Sequence, residues 1–99
     1  GAMTPALRSA LVAQLGSDDW EDRQNAAMTL GDLGADTDVD ALVKALKDPW
    51  SYVRDEAAKS LGRLRSQAAI PALREATRDI NPAVQASARR ALTEIGAGH

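Results

Sequence analysis

A repeat of 31 residues runs through this chain and limits its possible folds more than any other feature. The segment DRQNAAMTLGDL at 22–33 returns, slightly changed, as VRDEAAKSLGRL at 53–64. Aligning residues 17–48 with 48–79 gives ten identities in 32 positions without a gap. A unit of this length cannot bury its own apolar surface, so the repetition predicts copies that stack and share a continuous core.

Each unit has the apolar spacing of two amphipathic helices. Ala57, Ala58, Leu61 and Leu64 fall on one helical face, and a second apolar stripe covers 39–46. The sequence therefore predicts an all-α fold, an α-solenoid (α-α superhelix) of about three stacked antiparallel helix pairs. The six predicted helices span 5–16, 19–33, 38–47, 49–64, 68–78 and 82–95.

Residues suited to helix ends mark these boundaries. Thr4, Asp48 and Asn81 each precede a proline, which is typical of an N-cap followed by the first helical position. Left-handed turns are expected to end the first helix of each unit, at Gly34, Arg65 and Gly96.

The same alignment divides the chain into half and whole repeats. Gly1–Met3 is interpreted as an expression-tag remnant, and 4–99 as one domain. The half repeats are 4–17 and 80–96, and the whole repeats are 18–48 and 49–79. Arg8, Gln14 and Arg89 stand where other copies have small apolar stacking residues, and terminal repeats need such polar outer faces. We therefore expect a complete small solenoid.

Composition argues against several kinds of functional site. The 99 residues include no cysteine, and the one histidine is His99, so metal and thiol chemistry are not expected. The net charge of −2 argues against a dedicated nucleic-acid surface. No apolar run approaches the about 20 residues of a membrane-spanning helix. We predict no cofactor and a cytoplasmic location.

The central unit, DPWSYVRDEAAKSLGRLRSQAAIPALREATRD at 48–79, resembles the short HEAT-like repeats of the type named after phycobilisome lyases. The residues that carry this resemblance are Asp48, Val53, Arg54, Ala57, Ala58, Leu61, Gly62, Ala69, Ile70 and Leu73. The other copies depart from the pattern at Asp22, Gln85 and Thr93. The resemblance implies an α-solenoid whose second helices line the concave side, and most modules of this kind bind other proteins.

Charged residues on the second helices are the first candidates for a binding surface. On the predicted outer faces of these helices we expect a groove with a positive cast that would suit an acidic partner segment. The residues in question are Asp40, Val43, Lys44, Lys47, Arg74, Glu75 and Arg78. A solvated face that binds nothing is the alternative interpretation.

Aromatic residues are the second candidates. Trp50 is predicted to pack in the core, because it lies eleven residues before Leu61 and so shares its helical face. Trp20 is expected to be partly exposed and Tyr52 solvent-facing, and such a pair is typical of an interaction hot spot. Single exposed aromatics without a function are the alternative.

Two arginines and two aspartates recur at matching places and are predicted to be structural. Arg23 matches Arg54, and Asp48 matches Asp79 in the turns that join units. We expect each arginine to bind a turn carbonyl or carboxylate across units.

The leading functional prediction is a non-catalytic scaffold module that binds another protein, and not an enzyme. Two alternatives stay open: an accessory subunit of a bilin lyase-like enzyme complex, which the family resemblance suggests, and, less favoured, a nucleic-acid-binding HEAT-like module. The chain is expected to be a monomer or to associate weakly head to tail, since 1–47 is acidic and 48–99 basic.

Overall fold

The structure, a computed structural model, describes residues 4–34 and 38–97. Within these ranges the chain forms six α-helices and no strand, which confirms the predicted fold class. The helices are α1 (Pro5–Gln14), α2 (Trp20–Asp32), α3 (Val39–Ala45), α4 (Ser51–Leu64), α5 (Ile70–Ala76) and α6 (Pro82–Ile95), and a 3₁₀ turn (Gln67–Ala69) precedes α5.

The helices form two layers. The first helices of the units, α2, α4 and α6, pack side by side, with α4 in the middle. The second helices, α1, α3 and α5, pack mainly against the first layer and make few backbone contacts with one another. Each neighbouring pair therefore adds to a stack, and the molecule measures 37 × 27 × 17 Å along its principal axes.

Leucines and small residues fill the space between the layers. Leu30, Leu42, Leu61 and Leu73 are fully buried, and they come from four different helices. Each such side chain contributes about 1.5–3 kcal/mol when it leaves water. The alanines of the repeated segment are buried between neighbouring first helices, as the stacking interpretation predicts.

Two glycines allow the first helices to approach closely. A Cβ atom at Gly31 would overlap the side chain of Ser60 on α4. A Cβ atom at Gly62 would lie 2.9 Å from Ala91 Cα on α6, closer than real carbon contacts. The buried Ser60 hydroxyl also donates a hydrogen bond of 2.8 Å to the Ala27 carbonyl, and so links α4 to α2. The Leu-Gly pair of the repeat is thus part of the interface between units.

The described helix ends all lie within two residues of the predicted ones, and two of the three predicted N-caps are confirmed. The Thr4 hydroxyl accepts a hydrogen bond from Leu7 N–H (3.1 Å), and the Asn81 side chain accepts one from Ala83 N–H (2.8 Å). The predicted start of α4 at residue 49 is wrong, because the Asp48 carboxylate holds Trp50 N–H in a turn and the helix begins at Ser51. The left-handed turns have φ of 68° at Gly34, 54° at Arg65 and 94° at Gly96.

The polar residues of the outer half repeats lie at the surface. Arg8, Gln14 and Arg89 are all exposed, and α1 has no fully buried side chain. The domain limits stay predictions, and Gly1–Met3 and His99 lie outside the described residues. None of the described helices is both long and apolar enough to cross a bilayer. The cytoplasmic location stays a prediction.

Candidate functional site

An arginine and an aspartate join each unit to the next at the turns before the first helices. Arg23 donates two hydrogen bonds to the Asp48 carboxylate, from Nε (2.8 Å) and from Nη2 (3.2 Å), and a third to the Ser17 carbonyl (2.8 Å). Arg54 repeats the arrangement on Asp79, at 2.8 and 3.1 Å. These bidentate pairs confirm the structural role predicted for the four residues.

The same contacts set the charge state of these groups. Burial raises the pKa of the Asp79 carboxyl, but the hydrogen bonds from Arg54 and from Asn81 N–H outweigh it, so the net pKa is lowered. The hydrogen bond to Asp48 raises the pKa of the Arg23 guanidinium. The charged forms of Asp79 and Arg23 are thus favoured by these contacts, and the two pairs link neighbouring units.

The second-helix face brings several of the predicted binding residues together across α3 and α5. Lys47 and Glu75 form an ion pair of 3.9 Å between exposed side chains. A shallow cavity of about 300 Å³ lies beside them, between these two helices. Arg74 is exposed on α5, and Arg78 is exposed in the turn that follows this helix. The unmatched positive charge of this part of the face thus lies at the end of α5 and in the turn after it, because Glu75 matches Lys47.

A second cavity on this face lies between α1 and α3. It has a volume of about 490 Å³, and its lining includes Lys44 together with the carboxylates of Asp38, Asp40 and Asp48. Val43, also predicted to flank the groove, packs partly against the core. The lining contains three aspartates and one lysine, and even with Asp48 paired to an arginine the acidic residues outnumber the basic one, so this cavity does not have the predicted positive cast.

The aromatic residues form a cluster that joins α2 to α4. The Trp20 and Trp50 rings stack with centroids 5.7 Å apart, and Trp20 also contacts Tyr52 with ring centroids 5.3 Å apart. Trp20 is half-buried, whereas Tyr52 is 57% exposed, as predicted for both. We call Trp20, Trp50 and Tyr52 the aromatic cluster.

The prediction that Trp50 packs in the core is wrong. Its side chain is 45% exposed. The prediction extended the helical spacing of α4 back to residue 50, but Trp50 is the residue before the helix and has extended backbone angles (φ −98°, ψ 125°). The side chain therefore leaves the helical face and lies on Trp20 instead.

A groove between α4 and α6 on the first-helix face was missed by the sequence reasoning. It has a volume of about 410 Å³ and is lined by Lys59, Arg63, Ala86, Ser87, Arg90 and Glu94. Lys59 pairs with Asp55 at 3.0 Å, and the Ser87 hydroxyl bonds to the same carboxylate. Arg90 is exposed, and among the described residues it has no ion pair. The signal in the sequence was that Lys59 and Arg90 occupy the same repeat position, 31 residues apart.

The described residues do not contain a group of three or more histidine, cysteine or acidic side chains placed to hold a metal ion. Asp55 and Glu56 are neighbours on α4, but each has a basic partner, Lys59 at 3.0 Å and Arg63 at 3.8 Å. The chemistry of the described surfaces is therefore that of ion pairs, carboxylates and aromatic rings.

The stacked pairs and their links define a class, the α-solenoid proteins. The chain belongs to the HEAT repeat family, whose model matches residues 5–96. This confirms the resemblance inferred from the sequence.

Three similar proteins give the family context. A phycocyanobilin lyase subunit alpha of Picosynechococcus sp. is 49% identical over 51 residues, 52% of this chain and 19% of that protein. Deoxyhypusine hydroxylase-B of Oryza sativa subsp. japonica is 39% identical over 92 residues, 91% of this chain and 30% of that protein. The solved complex of CpcE and CpcF of phycocyanin lyase from Nostoc sp. PCC7120 superimposes with a TM-score of 0.81 at 30% identity, covering 96% of this chain and 38% of that one. The chain thus spans between 19% and 38% of the length of these proteins.

These relatives contradict the leading functional prediction. The predictions that the chain is a non-catalytic scaffold and that it is not an enzyme are both wrong. They are overturned by similarity to a hydroxylase and to a lyase subunit. The prediction rested on the solenoid architecture and on a sequence without cysteine and with histidine only at position 99, but the relatives' activities belong to proteins much longer than this chain. The alternative reading, a lyase-type complex, agrees better with the comparisons.

Proposed function

We propose that this chain is a HEAT-repeat unit of a bilin lyase-like enzyme complex and contributes to its activity together with a protein partner. The proposal is carried by the 49% identity with the phycocyanobilin lyase subunit. The likeness to the solved complex of two phycocyanin lyase proteins supports the protein partner. The chain supplies a rigid stack of helices, which suits a surface that must hold a ligand and a second protein in fixed positions.

The α4/α6 groove is the part of the molecule that fits a bilin best. Bilins are open-chain tetrapyrroles with carboxylate side chains, and arginine binds carboxylates through paired N–H donors. Arg90 offers such donors at the edge of the groove, and Lys59 adds a second cation whose charge Asp55 partly matches. The groove is open to solvent, so a partner protein would complete the enclosure.

The second-helix face is our proposed contact for that partner. Arg74 on α5 and Arg78 in the turn after it are exposed cations, so we propose that the partner contacts this part of the face through an acidic segment. A ligand in the α4/α6 groove and a protein on α5 would not compete, because the two helix layers face opposite sides.

A titration with phycocyanobilin tests the proposal. We expect a saturable change in the visible absorbance of the bilin when the purified chain is added. Arg90→Glu should weaken this binding about tenfold, since hydrogen bonds to charged groups are worth about 1.5–3 kcal/mol. Arg78→Glu makes the same charge change on the other face and should leave the titration unchanged. An unaltered bilin spectrum, or equal weakening by both variants, would contradict the proposal.

We propose hydroxylation of deoxyhypusine as a second candidate function, because the rice hydroxylase matches 91% of the chain. The assay incubates the purified chain with a deoxyhypusine-containing protein, dioxygen and a two-electron reductant, because one oxygen atom enters the product and the other leaves as water. The product is measured by mass spectrometry. A product heavier by one oxygen atom supports this candidate over the lyase. An unchanged substrate, with a positive bilin titration, favours the lyase.

A further inference from the structure

All the aromatic residues of this chain meet at one place on its surface. The sequence has two tryptophans, one tyrosine and no phenylalanine, and the aromatic cluster contains all three. The buried core is built from leucine, valine, isoleucine and alanine, and of the three aromatic residues only Trp20 packs partly against it. Trp50 and Tyr52 are 45% and 57% exposed, and exposed rings that are grouped in one patch are typical of an interaction site.

The repeat itself does not call for aromatic residues at these positions. Position 20 is tryptophan, but its equivalents are Ser51 and Pro82. Position 50 is tryptophan, but its equivalents are Asp19 and Asn81. The other copies form the same stack with small or polar residues at these two positions. Stacking of the repeats therefore does not require the two tryptophans.

The link between units holds the aromatic cluster in place. The Asp48 carboxylate accepts hydrogen bonds from Arg23 on α2 and from Trp50 N–H (2.9 Å) before α4. Trp20 lies near Arg23 in α2, so the same carboxylate fixes both sides of the stacked pair. A surface that is ordered before binding loses little conformational entropy when a ligand arrives.

Acidic residues flank Trp20 in the sequence. Asp18, Asp19 and Glu21 are exposed in and before the first turn of α2. The hydrogen bond to Asp48 is the main cause of the raised pKa of the Arg23 guanidinium. The negative charges of Asp18 and Asp19 also raise this pKa. Arg23 is itself engaged by Asp48, so the charge that this surface presents to solvent is negative. We call the aromatic cluster together with Asp18, Asp19 and Glu21 the aromatic–acidic patch.

We propose that the aromatic–acidic patch binds an arginine-containing segment of a partner protein. A guanidinium plane stacks on indole and phenol rings, and its N–H groups can reach nearby carboxylates. The patch offers both groups side by side, which neither the second-helix face nor the α4/α6 groove does. This inference does not rest on the proposed lyase function, because it uses a different surface.

The patch carries its own probe, because both tryptophans of the chain lie in it. The experiment titrates the purified chain with hexa-arginine, hexa-lysine and hexa-glutamate peptides and follows tryptophan fluorescence. We expect a saturable change with hexa-arginine, at least about threefold weaker binding of hexa-lysine, and no change with hexa-glutamate. Equal binding of hexa-arginine and hexa-lysine would overturn the assignment of an arginine.

Variants separate this site from general attraction between opposite charges. Binding of a labelled hexa-arginine peptide is measured by fluorescence anisotropy, and the fold of each variant is checked by circular dichroism. Trp50→Ala keeps every charge but removes the exposed ring that stacks on Trp20, and should weaken binding about tenfold. Leu7→Ala removes a similarly exposed apolar side chain from α1 and is the matched control. Unchanged affinity in folded Trp50→Ala would show nonspecific attraction and overturn the proposal.

A second copy of the chain could also supply arginines, since Arg89 and Arg90 are exposed on α6. Sedimentation of the chain alone tests this occupant. A monomer at micromolar concentration supports a separate partner. A dimer that dissociates in salt and in the Arg89→Glu/Arg90→Glu variant would overturn it in favour of self-association.

Discussion

At the scale of single residues, the interface between units depends on the absence of side-chain atoms as much as on their presence. Gly31 and Gly62 bring α2, α4 and α6 so close that one methyl group does not fit. The buried Ser60 hydroxyl uses the same closeness to reach a backbone carbonyl of the neighbouring helix. Sequence spacing predicted the stacking of the alanines, but only the packed helices reveal which atoms limit the approach.

Replacing Gly31 by alanine should destabilise the stack. The new methyl group overlaps the Ser60 side chain, and overpacking of this kind costs about 1–3 kcal/mol. Urea unfolding followed by circular dichroism measures the change. Gly16→Ala is the matched control, because its methyl group would meet only the Ala13 carbonyl at 3.4 Å, and it should change stability by less than about 0.5 kcal/mol. Equal stability of the two variants would contradict the close-approach argument.

At the scale of helices, the first helices α2 and α4 are each tied to the following turn by an arginine and an aspartate. Arg23 binds Asp48 and Arg54 binds Asp79 with nearly the same distances. In the third copy Gln85 replaces the arginine and donates to the Asp79 carbonyl at 2.5 Å, so the contact to the turn backbone is kept. The recurrence of the arginine and the aspartate in the sequence was enough to predict this link, because matching positions in stacked repeats lie in matching places.

The Arg54–Asp79 link should make stability depend on pH in the acid range. The net pKa of Asp79 is lowered by the folded structure, so its contribution is complete above the unfolded value of about 3.9 and is lost as pH falls through the lower folded value. Asp79→Asn should reduce stability at neutral pH by about 1–3 kcal/mol and flatten the loss below about pH 4. Urea unfolding across this pH range measures both effects.

Asp40→Asn is the control for this experiment, since it removes an exposed carboxylate on α3. It should leave both neutral stability and the acid dependence close to those of the parent chain. If Asp79→Asn gave the same acid profile as the parent chain, the link would not be the source of the dependence.

At the scale of the whole molecule, the stack has a strong centre and a weaker edge. The middle helix α4 packs between α2 and α6, and six of its residues are buried. Helix α1 packs mainly on α2 and has no buried residue. In a stacked protein the local stability follows the number of neighbouring units, so opening should begin at the edges.

Hydrogen exchange followed by mass spectrometry should therefore show a different exchange rate for the backbone amides of each helix. We expect amides of α4 to exchange slowest and those of α1 to exchange faster by at least about tenfold, because opening α1 exposes little apolar surface. Uniform protection across α1 and α4 would instead mean that the described stack opens as one unit.

The amino-acid sequence by itself determined the stack, its helices and its links, because a 31-residue period with helical apolar spacing leaves few other ways to bury the apolar faces. It did not determine the functional surfaces. Trp50 does not lie in its predicted position, because the turn at Asp48 interrupts the helical spacing before α4. Lys59 and Arg90 line one groove only because α4 and α6 lie side by side. Periodicity describes contacts that recur in every copy, whereas a binding surface arises where one copy differs from the next, and only the tertiary structure brings those differences together.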